Sequence, residues 1–427
     1  MGMTMAEKIL ARAAGLDEVK PGVIVEIEPD LVLTHDHQGP MTIREFRKFE
    51  SAALWDPERL IIFMDHRTPT QSIIAAENHQ ILRRFASEQG VNPEHIFDVG
   101  QGICHDILAE RRITKPGEIV VGTDSHTMTI GGVGVFGIGI GSSEMAAIWL
   151  RGKLWLKTPA SIKVILTGEL RQCAGSKDIT LEMLKRLGTD GATYRAIEFH
   201  GNGLTGLNID QRMTLCNMCL EMGAKVAMVP VDDVTCNFYE SYGIGNIESA
   251  QPDYNAVYER EITIELDKLY SLVAAPSSPQ NVVSAREIDL QNITIDQALI
   301  GTCTNGRLTD LREAAKLMKG RKVHPGVRFL IVPATQKILE QALDEGLVQT
   351  FVQAGAMVGV PCCGPCGGYG MGALAEDEVC VTAGSRNFIG RLGSPRANIY
   401  LASPATVAAS AIAGKIVDPV NIVKEAE

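Results

Sequence analysis

Short apolar segments alternate with amphipathic helical segments along much of this 427-residue chain. Residues 60–64 and 118–122 are predicted to be buried strands, and residues 70–89 and 142–156 are predicted to be helices. Strands that alternate with helices form largely parallel sheets covered by helices. The pattern therefore predicts an α/β protein built from three-layer α/β/α domains.

Two prolines and two serines interrupt this pattern at residues 274–281, which predicts a linker. Beyond it, residues 298–302, 328–332 and 356–360 read as short buried strands of a C-terminal α/β domain. We therefore expect three domains, at residues 1–159, 160–280 and 281–427.

The overall charge restricts the possible partners. A net charge of −11 without a long Lys/Arg run disfavours nucleic acid as a partner. No apolar run reaches about 18 residues, so no membrane span is predicted. The N-terminal segment lacks the features of a signal peptide, and we expect a cytoplasmic protein. In such a chain the ten cysteines predict thiols and metal ligands rather than disulfides.

Three cysteines stand in loops that follow predicted strands. Cys303 lies in GTCTNG, and Cys363 and Cys366 lie in the sequence Cys-Gly-Pro-Cys. Three thiolates would leave one iron of an iron–sulfur cluster open, which is a catalytic rather than an electron-transfer arrangement. From spacing alone, buried thiols or a redox pair are alternatives, and Cys216 and Cys219 form a second CxxC in a predicted helix.

Acid–histidine pairs follow two of the predicted strands. Asp65 and His66 follow the first, and Asp124, Ser125 and His126 follow the second. In open α/β sheets these strand ends are where ligands bind. A carboxylate beside an imidazole orients it and raises its pKa, which suits a histidine that protonates a leaving hydroxyl. Further candidate histidines are His35, His37 and His105, whereas His79 and His95 lack this context.

Two other features have structural alternatives. Residues 132–137 fit the pattern GxGxxG, but no acidic residue in an obvious second strand could bind a ribose. We therefore predict that residues 131–141 serve close chain packing. Arg386 and Arg391 could clamp a carboxylate, although either alone could equally be a surface charge.

The segments VGTDSHT, GTCTNGR, CGPCGG and RNFIGRLGSP, in this order, resemble the aconitase superfamily over essentially the whole chain. The segments KILARAAG and YLASPATVAASAIAGKI are similar to the family of 3-isopropylmalate dehydratase large subunits. The resemblance implies a hydro-lyase that dehydrates and rehydrates a small 2- or 3-hydroxy di- or tricarboxylate. Within that branch of the superfamily, the implied pathway is leucine biosynthesis.

The resemblance also implies a site. Cys303, Cys363 and Cys366 would hold one [4Fe-4S] cluster per subunit, with one iron that no cysteine binds. Asp65 and His66 would protonate the leaving hydroxyl. The other implied catalytic residues are His105, Asp124, His126 and Glu221. The implied substrate-binding residues are His35, Ser125, Arg386 and Arg391, and Asn217 and Asn305 would lie beside the cluster.

Family members of this size lack the swivelling fourth domain, which implies a separate small subunit that supplies the base and the specificity loop. Ser385, Cys362 and the segment His37-Gln-Gly depart from the usual family pattern. A homoaconitase or a dimethylmalate, citraconate or maleate hydratase is therefore an alternative. A non-enzymatic iron–sulfur or redox CxxC protein is the alternative from another class, but it would leave the acid–histidine pairs unexplained.

Overall fold

The structure is a computed structural model that describes residues 2–49, 52–245, 247, 250–368 and 370–424. Contacts between Cα atoms divide the chain into two compact units. The first unit comprises residues 1–99, 104–166 and 192–263, and the second comprises residues 100–103, 167–191 and 264–427.

The first unit is built around two sheets of mainly parallel strands. The five-stranded sheet is parallel throughout, with the spatial order Ile96–Phe97, Leu60–Phe63, Leu31–His35, Ile119–Gly122 and Phe136–Gly139. The four-stranded sheet has the order Val226–Met228, Ala196–His200, Ser161–Thr167 and Arg260–Glu265. The helices are Met5–Ala13, Gly39–Phe46, Ile73–Gln89, Cys104–Glu110, Ser142–Arg151, Ile209–Met218 and Asp233–Glu240.

The second unit contains a seven-stranded sheet. Its order is Val282–Ser284, Leu272–Ala274, Asn398–Ala402, Val379–Thr382, Gln297–Ile300, Arg328–Ile331 and Met357–Val358, and the last five strands are parallel. Its helices are Ser176–Leu187, Ala285–Asp289, Leu308–Met318, Gln336–Asp344, Leu347–Ala354, Pro404–Ala413 and Pro419–Lys424. The predicted α/β class is confirmed. The three-domain division stays a prediction.

Two local predictions differ from the structure. The helix predicted over 142–156 ends at Arg151, because Gly152 adopts a left-handed conformation with φ 69°. The chain then forms the strand Leu154–Lys157, which pairs antiparallel with Ile24–Ile27. The predicted linker at 274–281 is instead the turn of an antiparallel hairpin, in which Val273 lies opposite Val283.

Aromatic side chains fill the helical side of the five-stranded sheet. Phe46, Phe85 and Trp149 pack with ring centroids 5.1–5.8 Å apart. Each comes from a different helix, so their burial fixes these helices against one another. Among the residues that the structure describes, no helix is both long and apolar enough to span a membrane.

Candidate active site

Three neighbouring parallel strands of the first unit end in acid–histidine pairs. The pairs are His35 with Asp36, Asp65 with His66, and Asp124 with His126. Because the carboxyl ends of parallel strands share one edge of the sheet, residues far apart in sequence meet there. The two acid–histidine loops named from the sequence therefore lie at one edge of the sheet.

His66 lies between two carboxylates. Its Nδ1 is 2.7 Å from Asp65 Oδ1, and its Nε2 is 2.9 Å from Asp124 Oδ2. Burial alone would lower the pKa of His66, but the charges and hydrogen bonds of Asp65 and Asp124 raise it well above its ordinary value. The side chain is therefore an imidazolium at neutral pH and holds a proton on each ring nitrogen.

Both carboxylates are fixed by further donors. Asp65 accepts the backbone N–H of Cys104 at 2.9 Å. Asp124 accepts the backbone N–H of His126 at 2.6 Å and lies 3.4 Å from His105 Nε2. Burial would raise the pKa of Asp124, but His105 and His66 hold it well below its ordinary value. Asp124 therefore stays ionised and keeps His66 charged.

His126 links this cluster to the helical segment around Glu221. Its Nε2 is 3.0 Å from Glu221 Oε1, and its Nδ1 is 3.4 Å from Ser125 Oγ. Asn217 donates to Thr129 Oγ1 at 2.9 Å. The first unit thus brings together the predicted residues Asp65, His66, His105, Asp124, Ser125, His126, Asn217 and Glu221.

Two glycines allow the chain segments of this site to pack closely together. A Cβ atom on Gly131 would lie 1.8 Å from the carbonyl oxygen of Ala227, and one on Gly132 would lie 2.6 Å from the backbone nitrogen of Met213. The helix Ile209–Met218 therefore packs directly on this backbone and carries Asn217 to the histidine loop. The prediction that the glycine-rich segment serves close chain packing is confirmed.

His35 stacks on His66 with ring centroids 3.9 Å apart. Burial, together with the charge of His66, lowers the pKa of His35 to about 4, so His35 is neutral beside the imidazolium. His37 Nδ1 accepts hydrogen bonds from Arg67 Nε at 3.3 Å and Nη2 at 3.1 Å. The guanidinium of Arg67, the residue after His66, therefore lies beside the same histidine loop as a second cation.

Arg67 and His79 were not predicted as site residues, whereas Asp36 lies in the candidate segment His35-Asp36-His37. Asp36 accepts the backbone N–H groups of His66 at 3.0 Å and Arg67 at 2.8 Å, and its Oδ2 is 2.8 Å from His79 Nε2. His79 lies on the buried face of its helix in step with apolar residues. A histidine within an apolar stripe was the available sequence signal, because such a residue requires a buried polar partner.

The second unit holds the three predicted cysteines at the carboxyl edge of its parallel strands. Cys303 is buried in the loop after Gln297–Ile300. Arg307, which is also buried, donates to the carbonyl oxygens of Cys303 at 2.6 Å and Thr304 at 3.0 Å. Asp310 accepts from Asn305 Nδ2 at 2.8 Å and from the backbone of Arg307 at 2.9 Å. These bonds fix the loop.

Cys363 and Cys366 lie in the loop after Met357–Val358. Arg391 Nη2 donates to Cys366 Sγ at 3.3 Å, which favours a thiolate there. Cys362 instead packs in a core cluster with Leu299, Leu330 and Val332. A Cβ on Gly364 or on Gly301 would lie 3.3 Å or 2.8 Å from the Val332 side chain, so the two cysteine loops approach the same residue.

Hydrogen-bond donors surround Cys366. Ser385, Thr302, Thr382 and Arg386 line a cavity of about 10 Å³ beside it, which is far too small for a substrate. Ser385 Oγ and Arg391 Nε are buried without a hydrogen-bond partner among the described residues. Buried donors require acceptors, and the thiolates and sulfides of an iron–sulfur cluster are acceptors only. The residues present therefore fit such a group.

The second CxxC pair offers a poorer ligand set. Cys216 and Cys219 are fully buried in the first unit. Burial raises the pKa of Cys219 well above its ordinary value, and its Sγ donates to the carbonyl oxygen of Leu215 at 3.2 Å. A metal ligand has to be a thiolate, so the geometry favours the interpretation of this pair as packed core.

Comparison with known proteins gives a consistent result. Residues 7–414 match the family described as "Aconitase family (aconitate hydratase)". The chain is 45% identical to 3-isopropylmalate dehydratase large subunit 1 of Methanopyrus kandleri, over 98% of this chain and 99% of the relative. It is also 45% identical to the 3-isopropylmalate dehydratase large subunit of Moorella thermoacetica, over 99% of this chain and 100% of the relative.

The fold has a solved counterpart. Thermococcus kodakaraensis aconitase X in its holo form superposes with a TM-score of 0.50 at 14% identity, and the match covers 89% of this chain and 88% of that one. At this identity the similarity concerns the fold alone.

Proposed function

This chain belongs to the aconitase family, and from that premise we propose that it is the large subunit of a hydro-lyase acting on a small hydroxy-dicarboxylate. The nearly full-length relatives bear the name 3-isopropylmalate dehydratase, so 3-isopropylmalate is the proposed substrate and leucine biosynthesis the proposed pathway. Because those relatives are named large subunits, we include a small subunit, which would supply the base and specificity loop, and a cytoplasmic location.

The placement of His66 between the carboxylates of Asp65 and Asp124 is the observation that carries this proposal. A hydroxyl leaves carbon slowly unless its oxygen receives a proton, and a positioned general acid contributes roughly 10²- to 10⁴-fold. Asp65 and Asp124 hold the His66 ring and keep its proton available at neutral pH. After the proton is given up, the same two carboxylates favour reprotonation, which the reverse hydration requires.

Cys303, Cys363 and Cys366 are the proposed ligands of one [4Fe-4S] cluster. When bound, it would supply an iron that no cysteine binds and that acts as a Lewis acid toward the substrate hydroxyl. Arg391 stabilises the Cys366 thiolate by hydrogen bonding, and Arg307 fixes the loop that carries Cys303. Arg386 lies beside Cys366, and by the family resemblance it is the proposed clamp for a substrate carboxylate.

The test combines composition with turnover. The chain is purified without oxygen, reconstituted with iron and sulfide, and combined with a small subunit. We expect about four iron and four sulfide per chain, or about three iron with activity restored by ferrous iron. Dehydration of 3-isopropylmalate should require both subunits, and His66→Gln should abolish it while the iron content is unchanged.

A panel of hydroxy-carboxylates and their unsaturated dehydration products distinguishes the alternatives. Preference for dimethylmalate, maleate, citraconate or homoaconitate would identify a paralogous hydratase. Bound zinc, or no iron after reconstitution, would contradict the cluster. A loaded enzyme that is inactive on the whole panel would contradict the hydro-lyase.

A further inference from the structure

Lys177 carries a charged side chain into the interior of the second unit. It is the second residue of the helix Ser176–Leu187 and is fully buried. Lysine is almost never fully buried unless its ammonium has partners. Here the Nζ donates to the carbonyl oxygen of Ala383 at 3.3 Å and also to that of Gly384. One ammonium thus binds two successive carbonyl groups.

These carbonyls belong to the turn that follows the strand Val379–Thr382. On its other side the turn is held by Thr382, whose Oγ1 accepts the backbone N–H of Gly384 at 3.0 Å. The next residues, Ser385 and Arg386, line the cavity beside Cys366. The position of the turn therefore determines where the side chain of Arg386 leaves the backbone.

The carboxyl groups of Asp178 and Glu313 lie at the start of the same helix. Asp178 accepts backbone N–H groups from Gly175 at 2.8 Å and Leu272 at 2.7 Å, so it is occupied by main-chain donors. Burial raises the pKa of Asp178 to about 7 and that of Glu313 to about 8. At neutral pH Glu313 is then mainly protonated and Asp178 only partly ionised.

We propose that Lys177 is a positioning residue for carboxylate binding, because it fixes the turn from which Arg386 extends. The inference rests on the proposed function, in which Arg386 binds a substrate carboxylate. Fixing a binding group in advance lowers the entropic cost of binding. Loss of Lys177 should therefore weaken substrate binding more than it slows the chemical step.

The test is Lys177→Met, which keeps a long unbranched side chain but removes the ammonium. In the two-subunit holoenzyme we expect KM to rise by about 10- to 100-fold, as for loss of a charge-assisted hydrogen bond. We expect kcat to change less than threefold and the iron content to be unchanged. Lys268→Met is the matched control, since this lysine is exposed and pairs with Glu265 at the surface. An unchanged KM in Lys177→Met, or a fall in kcat alone, overturns the inference.

A second variant keeps the proposal testable if Lys177→Met does not fold. Thr382→Val removes the acceptor on the other side of the turn and leaves Lys177 in place. It should raise KM in the same direction, and the effects of the two substitutions should not be additive in the double variant. An unchanged KM in Thr382→Val overturns the premise that the turn positions Arg386. A wild-type holoenzyme that turns over no hydroxy-dicarboxylate would overturn the proposed function as well, whereas active wild type with an insensitive KM overturns only the role of Lys177.

Discussion

Asp124→Asn should move the alkaline limit of activity to lower pH. Asparagine keeps the shape of the side chain and one oxygen acceptor, but it removes the charge that faces His66 at 2.9 Å. Asp65, at 2.7 Å from the other ring nitrogen, still favours the imidazolium. The variant should therefore retain a protonated His66 at acidic pH and lose it earlier as the pH rises.

The size of the effect follows from the burial of this pair. The side chain of His66 is 16% exposed and that of Asp124 is 8% exposed, so solvent screens their interaction weakly. A hydrogen bond to a charged group contributes about 1.5–3 kcal/mol. At about 1.4 kcal/mol for each factor of ten, the ratio of imidazolium to imidazole at a given pH should fall by roughly 10- to 150-fold. The alkaline limit of activity should therefore move down by about one to two pH units, and the rate of dehydration should fall only above the new limit.

The raised pKa of His66 also predicts how the free energy of unfolding changes with pH. The pKa of His66 is raised in the folded protein, so its contribution to stability is fully present below the unfolded pKa, near 6.5, and is lost as pH rises through the folded pKa. The difference in free energy of unfolding between wild type and Asp124→Asn should therefore be largest near pH 6 and shrink at alkaline pH.

The assay is the pH dependence of kcat/KM for the reconstituted enzyme, together with NMR titration of the histidine ring protons. The His66 signals are assigned by their absence in His66→Gln. Asp98→Asn is the control, because Asp98 is an exposed carboxylate bound to Arg83 in the same unit. An alkaline limit that is the same in Asp124→Asn and wild type would refute the role assigned to this charge.

Other substitutions test the cysteine assignment and the packing. Cys366→Ala should lower the bound iron after reconstitution. Cys362→Ala should keep the iron but lower the free energy of unfolding by about 1–2 kcal/mol, because Cys362 lies in the core. Equal iron loss in both variants would contradict the assignment. Arg307→Met removes two hydrogen bonds from the first cysteine loop, so a chelator should extract iron faster than from wild type; an unaltered rate argues against that role. Gly131→Ala should lower the free energy of unfolding in denaturant by several kcal/mol. A Cβ atom on Gly206 would have no atom within 4 Å, so Gly206→Ala should change the free energy of unfolding by about 0.5 kcal/mol or less. Equal stabilities of the two variants would refute the close packing at Gly131.

Local sequence patterns predicted the strands and the residues at their ends. In each case an apolar run marks the strand. The polar residues directly after it, Asp65-His66 or Asp124-Ser-His, mark the end of the strand and supply the side chains at the edge of the sheet. The hairpin at Leu272–Ser284 was harder to predict. Its prolines and serines are as typical of a turn as of a linker, and only the pairing of Val273 with Val283 distinguishes them.

The missed site residues have partners that are distant in sequence. His79 binds Asp36, 43 residues away, and Lys177 binds Gly384, 207 residues away. Hydrophobic periodicity shows which face of a helix is buried, but it does not show which polar group the fold brings to that face. A buried lysine or histidine in an apolar stripe therefore signals that a partner exists without identifying it.

The half-buried carboxyl of Glu313 gives a further prediction, in which the folded structure keeps a carboxyl group protonated. Burial, and then the nearby carboxyls of Asp310 and Asp178, raise its pKa from 4.5 to about 8. The folded chain therefore holds a proton that the unfolded chain has lost, and the resulting stability, complete below pH 4.5, is lost as pH rises through about 8. The free energy of unfolding should fall across this window by at most about 1.4 kcal/mol per pH unit from this group.

Glu313→Gln removes the titrating group while it keeps the shape and a hydrogen-bond donor. Urea unfolding of the isolated chain between pH 5 and pH 8 should show a flatter dependence in this variant than in wild type. Glu340→Gln, at an exposed position of the helix Gln336–Asp344, should keep the wild-type slope. A wild-type slope in Glu313→Gln would mean that Glu313 is ionised at neutral pH.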